Sequence, residues 1–479
     1  MRLDMSLYTV YKFKEELVIM DQYVYIKNNI SIRKGDNEFK LSVEDKDSRK
    51  GERLYTINED ALNIITKFSG EYKLNEIIEQ LSNYYNEEFD EIKSKLLEFL
   101  NLMRDNYDLD IEYSKAKINK NIEIINIKNP YYPKSITLEL THKCNFKCLH
   151  CYGEYDNTAY EYMDLEKVKK FLLECKEIGV QTIELTGGEI TMHPNVAEIL
   201  KYIHELGFGL VALLTNGYIR NEELYKTIIE NKEKMIVQID MHGNTEEYLT
   251  WFTKVPNTQK IVEENIKYLH SHGVKLRIVT TVTPRNLHQV ESIADWVHGL
   301  GINSYAINPV LATGRANHDP NGLLLKSVDH IEAFQRLLCN IAEKYGKKFI
   351  NIISAQDSEN SLDSNCGALV SNPTISPEGN LKICAMDDLE IVSPIGNVFD
   401  EGLKNVYDNN LDYIKIFKNL KSPKFDTEGC KKCEHIEVCH GCVLRALKKG
   451  LSKGKDCSWL QELVPVQVKD KMKQVAFTH

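Results

Sequence analysis

At 479 residues and 55.2 kDa the chain is roughly three times the ~150-residue size of a typical domain, and 42% hydrophobic with 27% charged residues is a globular composition, so two or three packed cores are expected. Sixty Lys and Arg against 70 Asp and Glu give a net charge of -10, which argues against a phosphate-driven nucleic-acid binder. No apolar run reaches the ~18 residues of a bilayer span, and the charged opening MRLDMSLYTVYKFKEE lacks a signal peptide's apolar middle, so a cytosolic protein without a membrane partner is expected.

Residues 1 to about 115 read as a small α+β unit. LYTVYKF, ELVIMDQYVYIK and FKLSV are rich in β-branched and aromatic residues, with a turn near Lys34 to Asn37, and predict a short antiparallel sheet. After Tyr55 the spacing becomes helical: INEDALNIITKFSG, KLNEIIEQLSNYYN and FDEIKSKLLEFLNLMRD each repeat apolar residues at i, i+3 and i+4. Asn58 and Asn75 are predicted caps and Gly70 a helix stop. Sheet plus three helices outlines a winged helix. Residues 116–133 carry two prolines and no helical stripe, which suits a linker or an edge strand.

The next block alternates β-rich runs with amphipathic helices. SITLELT precedes a helix near Leu165 to Ile178, TIELTG one at Val196 to Leu206, and GLVALLTNG one at Glu222 to Glu230. MIVQIDMHG, LRIVTTVT and SYAINPVL continue the pattern. This is a βα repeat with a parallel sheet, about six units long over residues 134–320, short of an eightfold barrel. Residues 321–365 bridge to a cysteine-rich region over 366–479.

Twelve cysteines are too few for a disulfide scaffold in a chain this long, and they are unevenly placed: none precedes Cys144, and seven fall between Cys366 and Cys457. That distribution suggests metal. Cys144-x3-Cys148-x2-Cys151 directly follows the apolar strand ITLEL, so three thiolates can converge from one loop on one centre and leave a metal position open. A second set comprises Cys366, Cys384, Cys430-x2-Cys433-x5-Cys439-x2-Cys442 and Cys457, with Gly379 in a Pro377-Glu378-Gly379-Asn380 turn between Cys366 and Cys384. Zinc is the other metal such cysteine pairs hold.

The first motif after a first βα strand, with Tyr152 following and Gly187-Gly188-Glu189 after the second strand, resembles the radical S-adenosylmethionine (SAM) superfamily. The resemblance implies a partial (β/α)6 radical SAM barrel, in an α/β chain with an N-terminal winged-helix domain and a C-terminal cysteine-rich domain. It implies a 4Fe-4S cluster on Cys144, Cys148 and Cys151 whose open iron is chelated by SAM, which is cleaved to a 5'-deoxyadenosyl radical. Tyr152, Gly187, Gly188, Glu189, Thr215, Asn216, Asp240 and Arg277 are then expected to face the cofactor. The glycines would allow backbone to approach the methionyl ammonium, Asp240 would meet the ribose, and Arg277 would meet the carboxylate, unless it is a solvated strand-end arginine. His193 and His242 are assigned no role.

The second set resembles the SPASM domain, which implies two auxiliary 4Fe-4S clusters: an outer one on Cys430, Cys433, Cys439 and Cys457 and an inner one on Cys366, Cys384 and Cys442. Seven thiolates leave one of eight positions open unless Cys175, Cys339 or a non-cysteine ligand fills it. YTINEDALNIITKFSGEYKLNEIIEQLSNYYN resembles a RiPP recognition element, the module that captures the leader of a ribosomally made peptide. Together these are similar to subtilosin-type sactisynthases, whose activity is a thioether between a cysteine sulfur and an α-carbon. The implied partners are a precursor peptide with a cysteine-containing core and a ferredoxin or flavodoxin reductant. Open alternatives are thioethers at β- or γ-carbons, carbon-carbon crosslinks, epimerisation, sulfatase maturation, and an inactive zinc-binding peptide scaffold.

Overall fold

The computed structural model describes residues 19–35, 39–44, 52–107, 109–126, 131–346, 348–351, 368–370, 373–387 and 395–472. The chain divides into two units, residues 1–130 and 131–479.

The first unit contains β1 (Tyr23–Ile26), β2 (Ile30–Lys34), β3 (Phe39–Glu44), β4 (Glu52–Ile57), β5 (Ser69–Lys73), β6 (Ile111–Ser114) and β7 (Glu123–Asn126), with α1 (Glu59–Thr66), α2 (Leu74–Tyr85) and α3 (Phe89–Tyr107). The three predicted helices are present, but the strands form two sheets, ordered β5-β1-β6 and β4-β3-β2-β7, rather than one. The stretch 116–133 supplies edge strand β7, which pairs parallel with β2. The run LYTVYKF lies outside the described residues. Asn58 caps α1, accepting from the Ala61 amide at 2.8 Å. Asn75 does not cap α2. Lys73 stands at that cap, and its amide donates to Glu76 at 2.9 Å. Gly70 lies within β5, not at a helix end: its φ of +79° and the passing Ile118 backbone leave no room for a Cβ. Val24, Ile32, Leu41, Ile65, Leu74 and Ile77 form the buried centre.

The second unit is built on parallel strands β8 (Ser135–Glu139), β9 (Thr182–Thr186), β10 (Leu210–Thr215), β11 (Met235–Asp240), β12 (Leu276–Val282) and β13 (Tyr305–Pro309) in sequential order. Between them run α4 (Leu165–Glu177), α5 (Val196–Glu205), α6 (Glu222–Glu230), α7 (Glu246–Thr253), α8 (Thr258–Ser271) and α9 (Val290–Gly299). The sheet is longer than the six strands expected. After α10 (Val328–Tyr345), β14 (Ile350–Asn351) adds beside β13, while β15 (Thr374–Ile375) pairs parallel with β8 and β16 (Leu381–Lys382) antiparallel with β15, making nine strands. Two-residue strands carry too little sequence for a period-2 pattern to register.

Strand alternation sorts the sheet's two faces. Ile136, Leu138, Ile183, Leu185, Val237 and Ile278 join the helices in one hydrophobic core. The register places Glu139, Glu184, Gln238, Asp240, Arg277 and Lys382 on the opposite, inner face. In a parallel sheet every strand ends at the same edge, so the loops after β8, β9, β10 and β11 meet there. Among the described residues no helix is long and apolar enough to cross a membrane.

Candidate active site

The loop after β8 carries Cys144, Cys148 and Cys151. Burial pushes the Cys144 thiol up to about 12, helped by the charge of Glu189, and pushes Cys148 and Cys151 up as well. The Cys144 and Cys151 charges add to the rise at Cys148, which places the three sulfurs within each other's fields. Backbone amides oppose the effect: that of Phe146 donates to Cys144 Sγ at 3.4 Å, and those of Tyr155, Gly153 and Glu154 favour the Cys151 thiolate. Asn145 Nδ2 and His150 Nδ1 on the same loop are buried and have no hydrogen-bond partner among the described residues. Three thiols on one loop, two of them with N–H donors to sulfur, fit an iron-sulfur cluster, which deprotonates its ligands outright on binding.

The Gly187-Gly188-Glu189 turn packs on this loop. Gly188 N–H donates to Thr141 O at 2.7 Å and Glu189 N–H to Lys143 O at 2.8 Å. A Cβ on Gly187, whose φ is +148°, would overlap the Thr141 carbonyl, and one on Gly188 would overlap that of Lys143. The close approach these glycines permit is thus to the cysteine loop's own backbone. Glu189 is buried and holds the third loop: its carboxylate accepts from the Thr191 amide at 3.0 Å and hydroxyl at 2.7 Å, from the Thr215 hydroxyl at 2.7 Å and from the Asn216 amide at 2.7 Å. Asn216 Nδ2 completes the circuit by donating to Asn145 Oδ1 at 2.8 Å. Glu189, Thr215 and Asn216 therefore knit three loops together. Glu189→Gln replaces an acceptor oxygen with an amide facing donors; it is expected to destabilise the metal-free chain by about 2 kcal/mol, read from its denaturant midpoint.

Residues 138–297 match the model of the Radical SAM superfamily. This part of the chain is a radical SAM domain. The chain is 28% identical over 406 residues to the antilisterial bacteriocin subtilosin biosynthesis protein AlbA of Bacillus subtilis (strain 168), spanning 84% of this chain and 88% of that relative. It is 25% identical over 333 residues to an AdoMet-dependent heme synthase of Methanosarcina barkeri, covering 66% of this chain and 92% of that one. Among solved structures, SuiB of Streptococcus suis bound to S-adenosylmethionine superposes with a TM-score of 0.59 at 13% identity, over 90% of this chain and 97% of that one, which shows a shared fold.

The radical SAM domain places the remaining expected residues unequally. Asp240 ends β11 beside Cys148, whose thiol its charge helps to raise, and stands 3.9 Å from His242 Nε2. Tyr152 is half-buried, with its ring 5.8 Å from that of Tyr155. Arg277 is the second residue of β12, yet its register through Gln238 and Leu214 sets it on the inner face level with Thr186 and Glu139, the last residues of β9 and β8. It is not solvated, being 6% exposed with Nε donating to Ser304 Oγ at 3.1 Å. His193 and His242 are packing residues: His193 Nε2 lies 2.9 Å from Met163 O, and the His242 ring packs on Phe252 at 5.1 Å.

Sequence reasoning missed Arg315, which follows β13. Its guanidinium donates to the carbonyls of Cys148 at 3.1 Å, Tyr155 at 2.7 Å and Glu154, while its amide donates to Cys151 O at 3.0 Å. Its charge favours the thiolate at all three cysteines. Gly314 at φ +51° lies against the Cys151 and Tyr152 carbonyls, so Gly-Arg after the sixth strand was the available signal.

In the C-terminal region Cys430, Cys433, Cys439 and Cys457 line one pocket with Lys453 and Trp459. Burial pushes Cys430 up and Cys439 up to about 11, with the neighbouring thiols adding to both, and Lys453 Nζ lies 3.4 Å from Cys433 Sγ. The donor set again fits an iron-sulfur cluster. Cys442 stands at the N-cap of helix Val443–Lys453, outside this pocket's lining, and Cys384 lies in the turn after β16. Cys366 lies outside the described residues. Cys175 is buried in α4 and Cys339 is exposed on α10.

Proposed function

We propose that the chain is a radical SAM enzyme that joins a cysteine sulfur to a carbon, the α-carbon favoured, in a ribosomally made precursor peptide. The observation that carries this reading is the 28% identity to the subtilosin biosynthesis protein across 84% of the chain. The shared fold with SuiB, whose structure is also solved with the precursor peptide SuiA, supports a peptide substrate.

In this reading Cys144, Cys148 and Cys151 hold the SAM-binding 4Fe-4S cluster, which with SAM supplies the 5'-deoxyadenosyl radical. Tyr152, Gly187, Gly188 and Asp240 border that site, and Glu189, Thr215 and Asn216 keep its loops in place. Cys430, Cys433, Cys439 and Cys457 hold an outer auxiliary cluster, and Cys366, Cys384 and Cys442 an inner one with an open position, in a SPASM-like region over 366–479. Residues 1–115 capture the leader by adding its extended backbone to an exposed sheet edge. Each crosslink removes two hydrogens from the peptide: one leaves as an atom, the thiol's leaves as a proton, and one electron remains to be carried off, which is the capacity the auxiliary cysteines confer when loaded. A ferredoxin or flavodoxin in the cytoplasm supplies the starting electron.

The test is anaerobic incubation of the reconstituted full chain with SAM, reductant and the cysteine-containing peptide encoded beside its gene, followed by tandem mass spectrometry before and after alkylation. Loss of two hydrogens per crosslink, with cysteines no longer alkylatable after disulfide reduction, is expected. Unchanged peptide mass with deoxyadenosine still formed points to an epimerase and overturns the thioether reading. Metal analysis separates the scaffold alternative: about twelve iron and twelve sulfide per chain fit three cubes, whereas zinc does not.

A further inference from the structure

Glu139 and Lys382 are far apart in sequence and meet on the inner face of the nine-stranded sheet. Glu139 ends β8 and is fully buried; Lys382 ends β16 and is 5% exposed. Lys382 Nζ lies 2.9 and 3.1 Å from the two carboxylate oxygens and also donates to Ala385 O at 3.2 Å. The pair therefore ties the strand that leads into Cys144 to the strand that leads into Cys384. The Tyr155 phenol donates to Glu139 at 3.1 Å, and His142 Nε2 stands 3.6 Å from it, its ring stacked on Tyr155 at 5.1 Å.

A buried ion pair adds little stability over an apolar pair of the same size, because both charges give up their hydration. Its placement is better explained by the charge it balances. We propose that Lys382 is a positioning residue that cancels the Glu139 charge between the two cysteine segments, so that neither the Cys144–Cys151 site nor the Cys384 turn faces an uncompensated buried anion. This rests on the reading that those cysteines hold iron-sulfur clusters. An extra buried negative charge disfavours adding an electron to a nearby centre, since the field acts through a low-dielectric interior. Removing the lysine and removing the glutamate must then shift the clusters in opposite directions.

The test is redox titration followed by electron paramagnetic resonance on the reconstituted full chain, with iron counted per chain, for wild type, Lys382→Met, Glu139→Gln and the double variant. Lys382→Met is expected to lower the midpoint potential by the equivalent of about a tenfold change in the reduction equilibrium, Glu139→Gln to raise it, and the double variant to return near wild type. A merely structural role would lower iron content without this reversal of sign. Equal shifts in one direction, or unchanged potentials with iron retained, overturn the proposal. If Lys382→Met does not fold, Glu139→Gln against the double variant decides the same question, since only the former leaves an unpaired charge. Wild-type protein that binds zinc instead of iron defeats the cluster reading, a result distinct from any of these.

Discussion

Gly188→Ala is expected to leave the chain folded while stripping iron from the barrel site and cutting deoxyadenosine formation by about 100-fold. The new methyl would overlap the Lys143 carbonyl oxygen and stand 2.7 Å from that of His142. Both neighbours are backbone, so no side chain can rotate away. The Lys143 carbonyl also accepts the Glu189 amide at 2.8 Å, which holds the turn in place from the other side. Relief must therefore come from moving the segment one residue before Cys144, and a thiolate set shifted by even an ångström no longer converges on one centre. The cost to folding stays near 1–3 kcal/mol, that of an overpacked site. Gly299→Ala is the control: it ends α9, nothing lies within 4 Å of its Cβ position, and it is expected to be neutral or slightly stabilising. Iron and acid-labile sulfide per chain, with circular dichroism for the fold, check the pair. Full iron loading and turnover in Gly188→Ala would show that the loop has room the structure denies it.

Arg315→Met is expected to lower the unfolding free energy of the metal-free chain by about 3 kcal/mol and to reduce iron retention at the barrel site by more than half. The methionine fills similar volume but leaves the carbonyls of Cys148, Glu154 and Tyr155 without the guanidinium that now serves all three. It also removes the positive charge that favours each thiolate. Arg315→Lys separates the two contributions, because an ammonium keeps the charge but lacks the planar fork that reaches several carbonyls at once. Iron retention in Arg315→Lys should fall between the other two. If Lys matches wild type, charge alone explains the residue; if it matches Met, hydrogen bonding does. Denaturant titration of the metal-free protein and iron release to a chelator are the measurements.

The cysteine loop was legible in the chain because its information is local. Cys144, Cys148 and Cys151 sit within eight residues after an apolar strand, and the constraint that three sulfurs reach one point is written in their spacing. The six parallel strands were legible for the same reason, as each is long enough to show its period. Family likeness groups Cys430, Cys433, Cys439 and Cys457, and these four line one pocket.

The roles of the polar residues around the loop were decided elsewhere. Family likeness sets Glu189, Thr215 and Asn216 at the cofactor, and the fold adds that they hydrogen-bond to each other and to Asn145 across loops 26 to 71 residues apart. Arg277 stands near the start of β12 in sequence, yet register sets it level with the ends of β8 and β9, which its place along its own strand does not show. Lys382 carried no signal of its own, and Arg315 only the glycine before it, since an arginine or lysine in a chain with 60 of them is ordinary until its partner is known. The sequence by itself determined which atoms could bind metal and which segments could be strands, because covalent spacing and side-chain period act over a few residues. Only the tertiary structure decided which charges meet, because the partners of a buried charge are chosen by strand order and register over distances the local pattern does not encode.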